Sequence, residues 1–564
     1  MSAKLLDLSA ESLAVRSDVS LQAPMVPPTP PGGVPQGVDA IDTRPLYARI
    51  SPGLRALIVV TVMAATIMEF LDTSIVNVAI PSMQGNLGAT LDDIGWVSTG
   101  YIISNVIVLP LTGWLSDYFG RKRYLTYSII LFTVASLGCG ISHSLVELIF
   151  WRIIQGAGGA AFFSISQATL MEVFPPAKRG IAQAIFGLGV AVAPTLGPTL
   201  GGYLTDNYSW PWIFFVNVPV GILAAILTFS FVPNSAAAGQ KRKADFVGIG
   251  LLAIGLGCLQ TILERGERED WFESGFIIGL ALCAVAGIGA FLWWVLRPAN
   301  THPAVNLRVI TNRNLAAGTL YAFAFGFALY GMVFVTPQFL QNVQNHTAQQ
   351  AGMLLLPSGL ATAGIFILVG MLVNRVDTRI LIGLGAAFTA MAMFRFHAIL
   401  TLTTPDEAYF LPLTLRGIGV GLQIVPLSVV TLGTLKPQQV GEGAGIYNLF
   451  RQLGGSFGIA MLTTLISRRN QFHYARLGEH LNVYDPFQRQ ELAHIQAQLV
   501  QRGMTPFDAQ AGALKVLANL VQRQAAALTF MDVYAVLAWV GIGTLLLLVL
   551  FQRPRNGKPS ADAH

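Results

Sequence analysis

Two carboxylates three residues apart, Glu69 and Asp72, stand in an otherwise apolar stretch of this 564-residue chain. Spaced by three, they share one face of a helix, with Asn77 near the same face. Ionisable groups at bilayer depth cost several kcal/mol and usually mark a pathway. Burial and a like-charged neighbour both disfavour the charged form of a carboxylate, which suits such a pair to exchanging protons near neutral pH. The alternative is structural, with one carboxylate at the outer interface or paired with a buried arginine. Arg152, five residues past Glu147, is an arginine of that kind. It does not deprotonate, so when buried it either fixes an ion pair or tunes a carboxylate. Farther on, Asn448 and Arg451 interrupt another apolar stretch and either line a cavity or pair structurally.

Other chemistries are excluded or disfavoured. Gly454-Gly455-Ser456-Phe457-Gly458 matches the GxSxG pattern of a nucleophile elbow, but that elbow needs a strand-turn-helix context, which a glycine-rich span does not offer. A serine hydrolase built from Ser456 and His397 is therefore disfavoured. The chain has no GxxxxGK[ST] sequence, so ATP bound to this chain is not its energy source. Cys139, Cys258 and Cys283 fall in apolar stretches without CxxC spacing, leaving neither a disulfide framework nor a zinc site. No metal and no cofactor are expected, and the chain is read as not an enzyme.

The elements that must hold these residues follow from composition. Hydrophobic residues make up 53% of the chain and charged residues only 11%, against about 25% charged in soluble domains. A single water-soluble core is ruled out. The formal charge of +6 would suggest nucleic acid only if it gathered on one soluble face, and it does not. Residues 1–53, with Pro27-Pro28-Thr29-Pro30-Pro31-Gly32-Gly33, read as a disordered tail rather than a signal peptide.

From Leu54 on, uncharged windows recur at the length a bilayer needs, about 20 residues. They predict fourteen helices near 55–80, 94–116, 124–142, 145–170, 179–205, 211–232, 246–263, 274–296, 315–340, 351–373, 379–400, 409–433, 442–466 and 530–552. The expected architecture is an all-α polytopic membrane protein. It has a six-helix bundle over 54–232, two inserted helices over 246–296, a second six-helix bundle over 315–552, and a short tail, 553–564. Of the 35 Lys and Arg, 22 fall in segments that are cytoplasmic if both termini are inside, three in short outer loops and three within spans. Seven more lie in the long outer loop 467–529. The asymmetry obeys the positive-inside rule. Within that loop, Asp485-Pro486 and Thr505-Pro506 are helix-start pairs, predicting two amphipathic helices that form either a solvated hairpin or a docking surface.

An internal repeat is visible: Arg152-Ile-Ile-Gln155-Gly156-Ala157-Gly158 is echoed by Thr414-Leu415-Arg416-Gly417-Ile418-Gly419. Gly113-Trp-Leu-Ser-Asp117-Tyr-Phe-Gly120-Arg121 has a degraded counterpart in Gly370-Met-Leu-Val-Asn374-Arg375. Repeated halves around a central site are what alternating-access carriers use.

Four segments resemble the major facilitator superfamily, specifically its fourteen-helix drug:proton antiporters of the EmrB/QacA type. They are Leu71 to Pro81, Gly113 to Arg123, Arg152 to Gly159, and Gly187 to Gly202, the last carrying Pro194, Gly197, Pro198 and Gly201. The long loop, with Arg468-Arg469 after the thirteenth span, leans towards the EmrB branch. The resemblance implies the major facilitator fold and proton-coupled efflux of amphipathic or hydrophobic small molecules from a bacterial inner membrane. A dedicated exporter of one metabolite or siderophore is the alternative. It also implies proton coupling at Asp72 and Arg152, to which the carboxylate pair read from the residues adds Glu69; a conformational latch at Gly113, Asp117, Gly120 and Arg121; an antiporter motif at Gly187, Pro194, Gly197, Pro198, Gly201 and Gly202; and a substrate cavity including Asn77, Gln155, Asn448 and Arg451. Glu69 departs from the family, which often has an uncharged residue there, and serves either cationic substrates or a second proton. The partners implied are a small-molecule substrate, membrane lipid, a membrane-fusion adaptor and an outer-membrane channel, with no nucleic acid. The energy comes from the proton motive force.

Overall fold

With no water in a bilayer core, a chain must satisfy its backbone internally, and uncharged windows this long do so as helices. A computed structural model describes residues 46–233, 245–298, 300, 303–373, 375–436, 439–481 and 485–552, and every regular element among them is helical. The long helices are α1 (Pro52–Leu87), α2 (Trp96–Phe119), α3 (Arg121–Ile141), α4 (Leu145–Val173), α5 (Arg179–Asn207), α6 (Trp212–Phe231), α7 (Phe246–Arg265) and α8 (Gly275–Leu296). They continue with α9 (Arg313–Asn342), α10 (Ala348–Leu372), α11 (Thr378–Ile399), α12 (Phe410–Leu432), α13 (Val440–Glu479), α14 (Pro486–Gln501) and α15 (Pro506–Leu547). Thirteen of the described helices are long and apolar enough to cross a membrane. With α5, uncharged from Gly180 to Thr205, the spans number fourteen, as the hydropathy windows predict. Only α14 is not a span.

Starts are set by side chains that accept orphan backbone donors. Ser51 accepts from Leu54 N ahead of Pro52, Ser144 from Glu147 N, and Thr347 forms a capping box with Gln350. Asp485 and Thr505 cap α14 and α15 as their Asp-Pro and Thr-Pro pairs suggest. Three boundaries differ from the sequence expectation. The segment read as a tail up to residue 53 already contains a helical turn, Leu46–Arg49, and the start of α1. The thirteenth helix does not stop near 466 but runs 40 residues, and in the 42-residue α15 the second loop helix leads into the last span, as expected, without a boundary near 530. Hydropathy marks where lipid contact ends; without a proline between 467 and 479, the backbone ladder continues into water. Residues 1–45 and 553–564, the basic Lys241-Arg242-Lys243 and Asn374 lie outside the described residues.

The two bundles repeat the same packing. In the first, α1 packs on α4, α5 and α6, α3 on α4 and α6, and α2 on α4. In the second, α9 packs on α12, α13 and α15, α11 on α12 and α15, and α10 on α12. The glycine echo has a physical basis in this repeat. A Cβ on Gly156 of α4 would strike the Tyr101 carbonyl of α2, and one on Gly417 of α12 would strike the Ser358 carbonyl of α10. The halves meet along α5·α10 and α2·α13. The inserted α7 packs on α2 and α13, beside the second seam. Below, the terminal face is the one carrying Pro52 and Leu547, and the hairpin face is the one from which α14 projects.

Candidate functional site

Asp72 lies midway along α1, fully buried, and each of its oxygens is occupied. Arg152 Nη1 of α4 donates to Oδ2 at 2.7 Å. Gln155 Nε2, one turn on, donates to Oδ1 at 2.9 Å, and Asn217 Nδ2 of α6 donates to the same oxygen at 2.9 Å. Behind them, Arg152 also donates to Gln155 Oε1 and to the Val97 carbonyl, and its guanidinium lies 4.3 Å from the Tyr101 ring centroid. Asn217 reaches Ser136 Oγ on α3, which donates to the Phe214 carbonyl. Five helices thus close a saturated polar knot around one ion pair, and a buried charge is tolerable only when its lone pairs are satisfied in this way.

Glu69, one turn before Asp72, is 9% exposed and far less supported. Asn105 Nδ2 donates to Oε1 at a long 3.5 Å, while Oε2 has no hydrogen-bond partner among the described residues. Protonating Asp72 sacrifices its bond to Arg152; protonating Glu69 breaks no ion pair.

A small cavity of about 30 Å³ lies between the halves, lined by residues including Phe163, Gln167 and Phe186 of the first and Phe325, Ser428 and Arg451 of the second. It has room for water but not for a drug-sized molecule. Arg451 enters it with its guanidinium 4.4 Å from the Phe163 centroid, Nη1 on Tyr330 Oη at 2.9 Å, and Nε unpartnered among the described residues. On the terminal side of the cavity, Asn448 Nδ2 bonds Gln167 Oε1 at 3.2 Å and Ser164 Oγ at 3.3 Å. Gln167 Nε2 donates to Gln183 Oε1 at 3.2 Å, and Ser428 Oγ donates to that oxygen at 3.1 Å.

Of the residues read as lining a cavity, Arg451 lines it, Asn448 lies beside it, Gln155 belongs to the Asp72 knot, and Asn77 is exposed on α1. Sequence reading did not single out Asn217, Ser136, Asn105, Gln167, Gln183 or Ser428. Each is a neutral polar residue in an uncharged window, and a search for charge passes over it.

In the latch segment, Gly113 sits where α2 meets α13: a Cβ there would lie 2.8 Å from Glu442 Cα. Gly120 has φ +82°, open to glycine at little cost, and turns the chain into α3. Arg121, buried, pairs with Glu172 of α4, while Asp117 is half-buried at the end of α2. In the antiporter segment, Gly197 and Gly201 abut Ser74 and Ile75 of α1, so α5 packs closely just beyond Asp72. Gly187 faces Phe366 of α10, and Gly202 faces open space. The backbone is helical through positions 194 and 198, whose proline side chains lie outside the described residues. Ser456 accepts from Gln260 of α7 at 2.9 Å, and His397 Nδ1 meets the Met531 carbonyl at 2.8 Å.

Outside the membrane, Asp245 caps α7. Burial works against its charge, but bonds from Gly248 N, Trp294 Nε1, Asn300 Nδ2 and Ala304 N prevail and hold its carboxyl below the usual range. At the other end of α7, burial likewise opposes the charge of Glu267, and bonds with Thr464, Trp271 and Ser467, with Arg468 nearby, hold that carboxyl low. Trp271 Nε1 also reaches Thr464 Oγ1 of α13 at 2.9 Å.

The Major Facilitator Superfamily pattern matches residues 62–459. The multidrug export protein EmrB of Escherichia coli K12 is 35% identical over 497 residues, covering 87% of this chain and 94% of that protein. The fatty acid resistance protein FarB of Neisseria gonorrhoeae is 34% identical, covering 81% and 90%. Among solved structures, the proton:xylose symporter XylE aligns with TM-score 0.56 at 13% identity over 88% of this chain and 95% of that one. The human organic anion transporter MFSD10 aligns with TM-score 0.55 at 15% identity over 88% and 100%. At such identities the two structures establish the fold. Fourteen spans in repeated halves, a buried carboxylate–arginine pair on α1 and α4, and relatedness across most of the chain agree: the protein belongs to the major facilitator superfamily, in its EmrB-type branch.

Proposed function

We propose that the protein exports amphipathic or hydrophobic small molecules across a bacterial inner membrane in exchange for protons, with Glu69 as the exchanging group. The observation that carries this reading is the pair of carboxylates one turn apart on α1. One is locked to Arg152; the other has an oxygen unpartnered among the described residues and precedes Phe70, whose ring meets the cavity-lining Phe163 at 5.6 Å. Asp72 and Arg152 then form the fixed charge pair against which Glu69 works. No bound cofactor is required, since the gradient supplies the energy. One proton entering through 100 mV and one pH unit brings about 3.7 kcal/mol, enough to sustain a neutral gradient of a few hundredfold.

The terminal face is assigned to the cytoplasm on the basic asymmetry of the sequence. Ala497, exposed on α14, should then react with an impermeant maleimide from outside once changed to cysteine; labelling only after lysis would invert the assignment. The hairpin of α14 and the first half of α15, with Phe487 and Phe507 more than 80% exposed, supports docking of a membrane-fusion adaptor leading to an outer-membrane channel. Deleting 486–503 should impair whole-cell efflux while purified protein still binds substrate; undiminished efflux removes the adaptor.

Proteoliposomes with an imposed pH gradient test the coupling. Glu69→Gln should bind substrate yet fail to concentrate it. Uphill transport by Glu69→Gln at the wild-type rate would return the role to Asp72 or to another group.

A further inference from the structure

The hydrogen bonds around Gln183 form a continuous belt across both halves. Gln183 of α5 and Gln167 of α4 belong to the first bundle, and Ser428 of α12 and Asn448 of α13 to the second; none is more than 2% exposed. Gln183 Oε1 accepts from Gln167 and from Ser428, and Asn448 donates to Gln167 Oε1. Two contacts of this belt, Ser428–Gln183 and Asn448–Gln167, cross between halves that must separate whenever the cavity opens toward the terminal face.

The position is diagnostic. On α4, α5 and α12 the belt residue lies nearer the terminal face than the cavity residues Phe163, Phe186 and Val190, and Ile424 of the same helices, and on α13 Asn448 lies between the cavity residues Tyr447 and Arg451. Gln167 and Ser428 also line the cavity themselves. The belt is therefore the cavity's floor. Beneath it the halves already touch, where Gly113 meets Glu442 and Gly180 meets the Gly370 carbonyl.

Its chemistry suits a part that opens repeatedly. Buried neutral hydrogen bonds each contribute little net stability, so a few can break within one transport step, whereas breaking a buried ion pair costs several times more. The belt is also undersaturated: Gln183 Nε2 and Asn448 Oδ1 have no partner among the described residues, leaving donors and acceptors with which the amides can re-pair once the halves part.

We propose that Gln167, Gln183, Ser428 and Asn448 form the cytoplasmic gate of the pathway, an amide and hydroxyl seal that opens each time substrate enters from the cytoplasm. This rests on the export reading and its orientation. The test uses full-length protein with Cys139, Cys258 and Cys283 changed to alanine. In one arm, Gln183→Cys and Ser428→Cys are joined by a short thiol-bridging reagent, which should abolish transport until a reductant restores it. A cysteine-free protein with Gln183 and Ser428 intact that moves no substrate would count against export itself; a bridged protein that transports at the unbridged rate overturns the gate. The second arm needs no transport. A cysteine at Ser164, just above the belt, is labelled from the cytoplasmic face with and without Gln183→Leu. Deleting both bonds to Gln183 Oε1 at similar volume should speed labelling about thirtyfold, and an unchanged rate overturns the gate.

Discussion

Glu69 and Asp72 share a helix, a face and a depth, yet they are held in opposite ways. Asp72 receives hydrogen bonds from an arginine and two amides on α4 and α6. Glu69 receives one long bond from Asn105 and keeps an oxygen unpartnered among the described residues. The difference separates two jobs that a single buried carboxylate performs poorly. A group that must change its protonation cannot also be the anchor of a charge network, because each change would dismantle what it anchors.

That contrast can be broken most forcefully at Arg152. Arg152→Leu leaves Asp72 buried without its counter-charge and should cost about 3–5 kcal/mol, seen as a collapse in yield or a large fall in Tm. Combining it with Asp72→Asn should recover part of the loss, since no charge is then stranded; an additive double variant would mean the pair is not coupled. Asp72→Asn alone, which keeps the shape but gives up a charge-assisted bond, should cost about 2 kcal/mol. Glu69→Gln should change stability by less than about 1 kcal/mol while removing pH-driven accumulation. Should it destabilise as strongly as Asp72→Asn, the two sites are alike and the division of labour fails.

The smallest effect concerns a carboxylate outside the membrane. Glu267 is held below the usual range in the folded protein. Its contribution is therefore fully present above the unfolded value, about 4.3, and is lost as pH falls through the folded value. Wild-type Tm should drop more between pH 5 and pH 3 than that of Glu267→Gln; parallel curves would mean that the tie from α7 to α13 does not depend on this charge.

The spans were legible in the sequence because a bilayer imposes one length and one polarity on each of them, and the repeat because Gly156 and Gly417 are required by the same close crossing. Charge located Glu69, Asp72 and Arg152 for the same reason: such residues are costly in lipid. What sequence could not supply was partnership. Whether Asp72 or Glu69 faces Arg152 depends on the rotation of α4 against α1, and no spacing along one helix encodes a rotation between two. Asn217, Gln167 and Gln183 stayed hidden because an amide in a span costs little and stands out little. The end of α13 and the start of the last span lie outside the apolar windows because such windows track lipid rather than helix.

The length of α15 has a mechanical consequence. At 1.5 Å per residue, its 42 residues extend about 63 Å, roughly twice the hydrocarbon thickness, and no helix break separates the part that packs in the second bundle from the part that carries α14. The projection is thus a lever fixed to that bundle. If the halves rock by about 10°, its tip, roughly 30 Å beyond the membrane, sweeps about 5 Å sideways. Anything seated on the hairpin is displaced once per cycle, so each turnover is transmitted outside the membrane as a stroke.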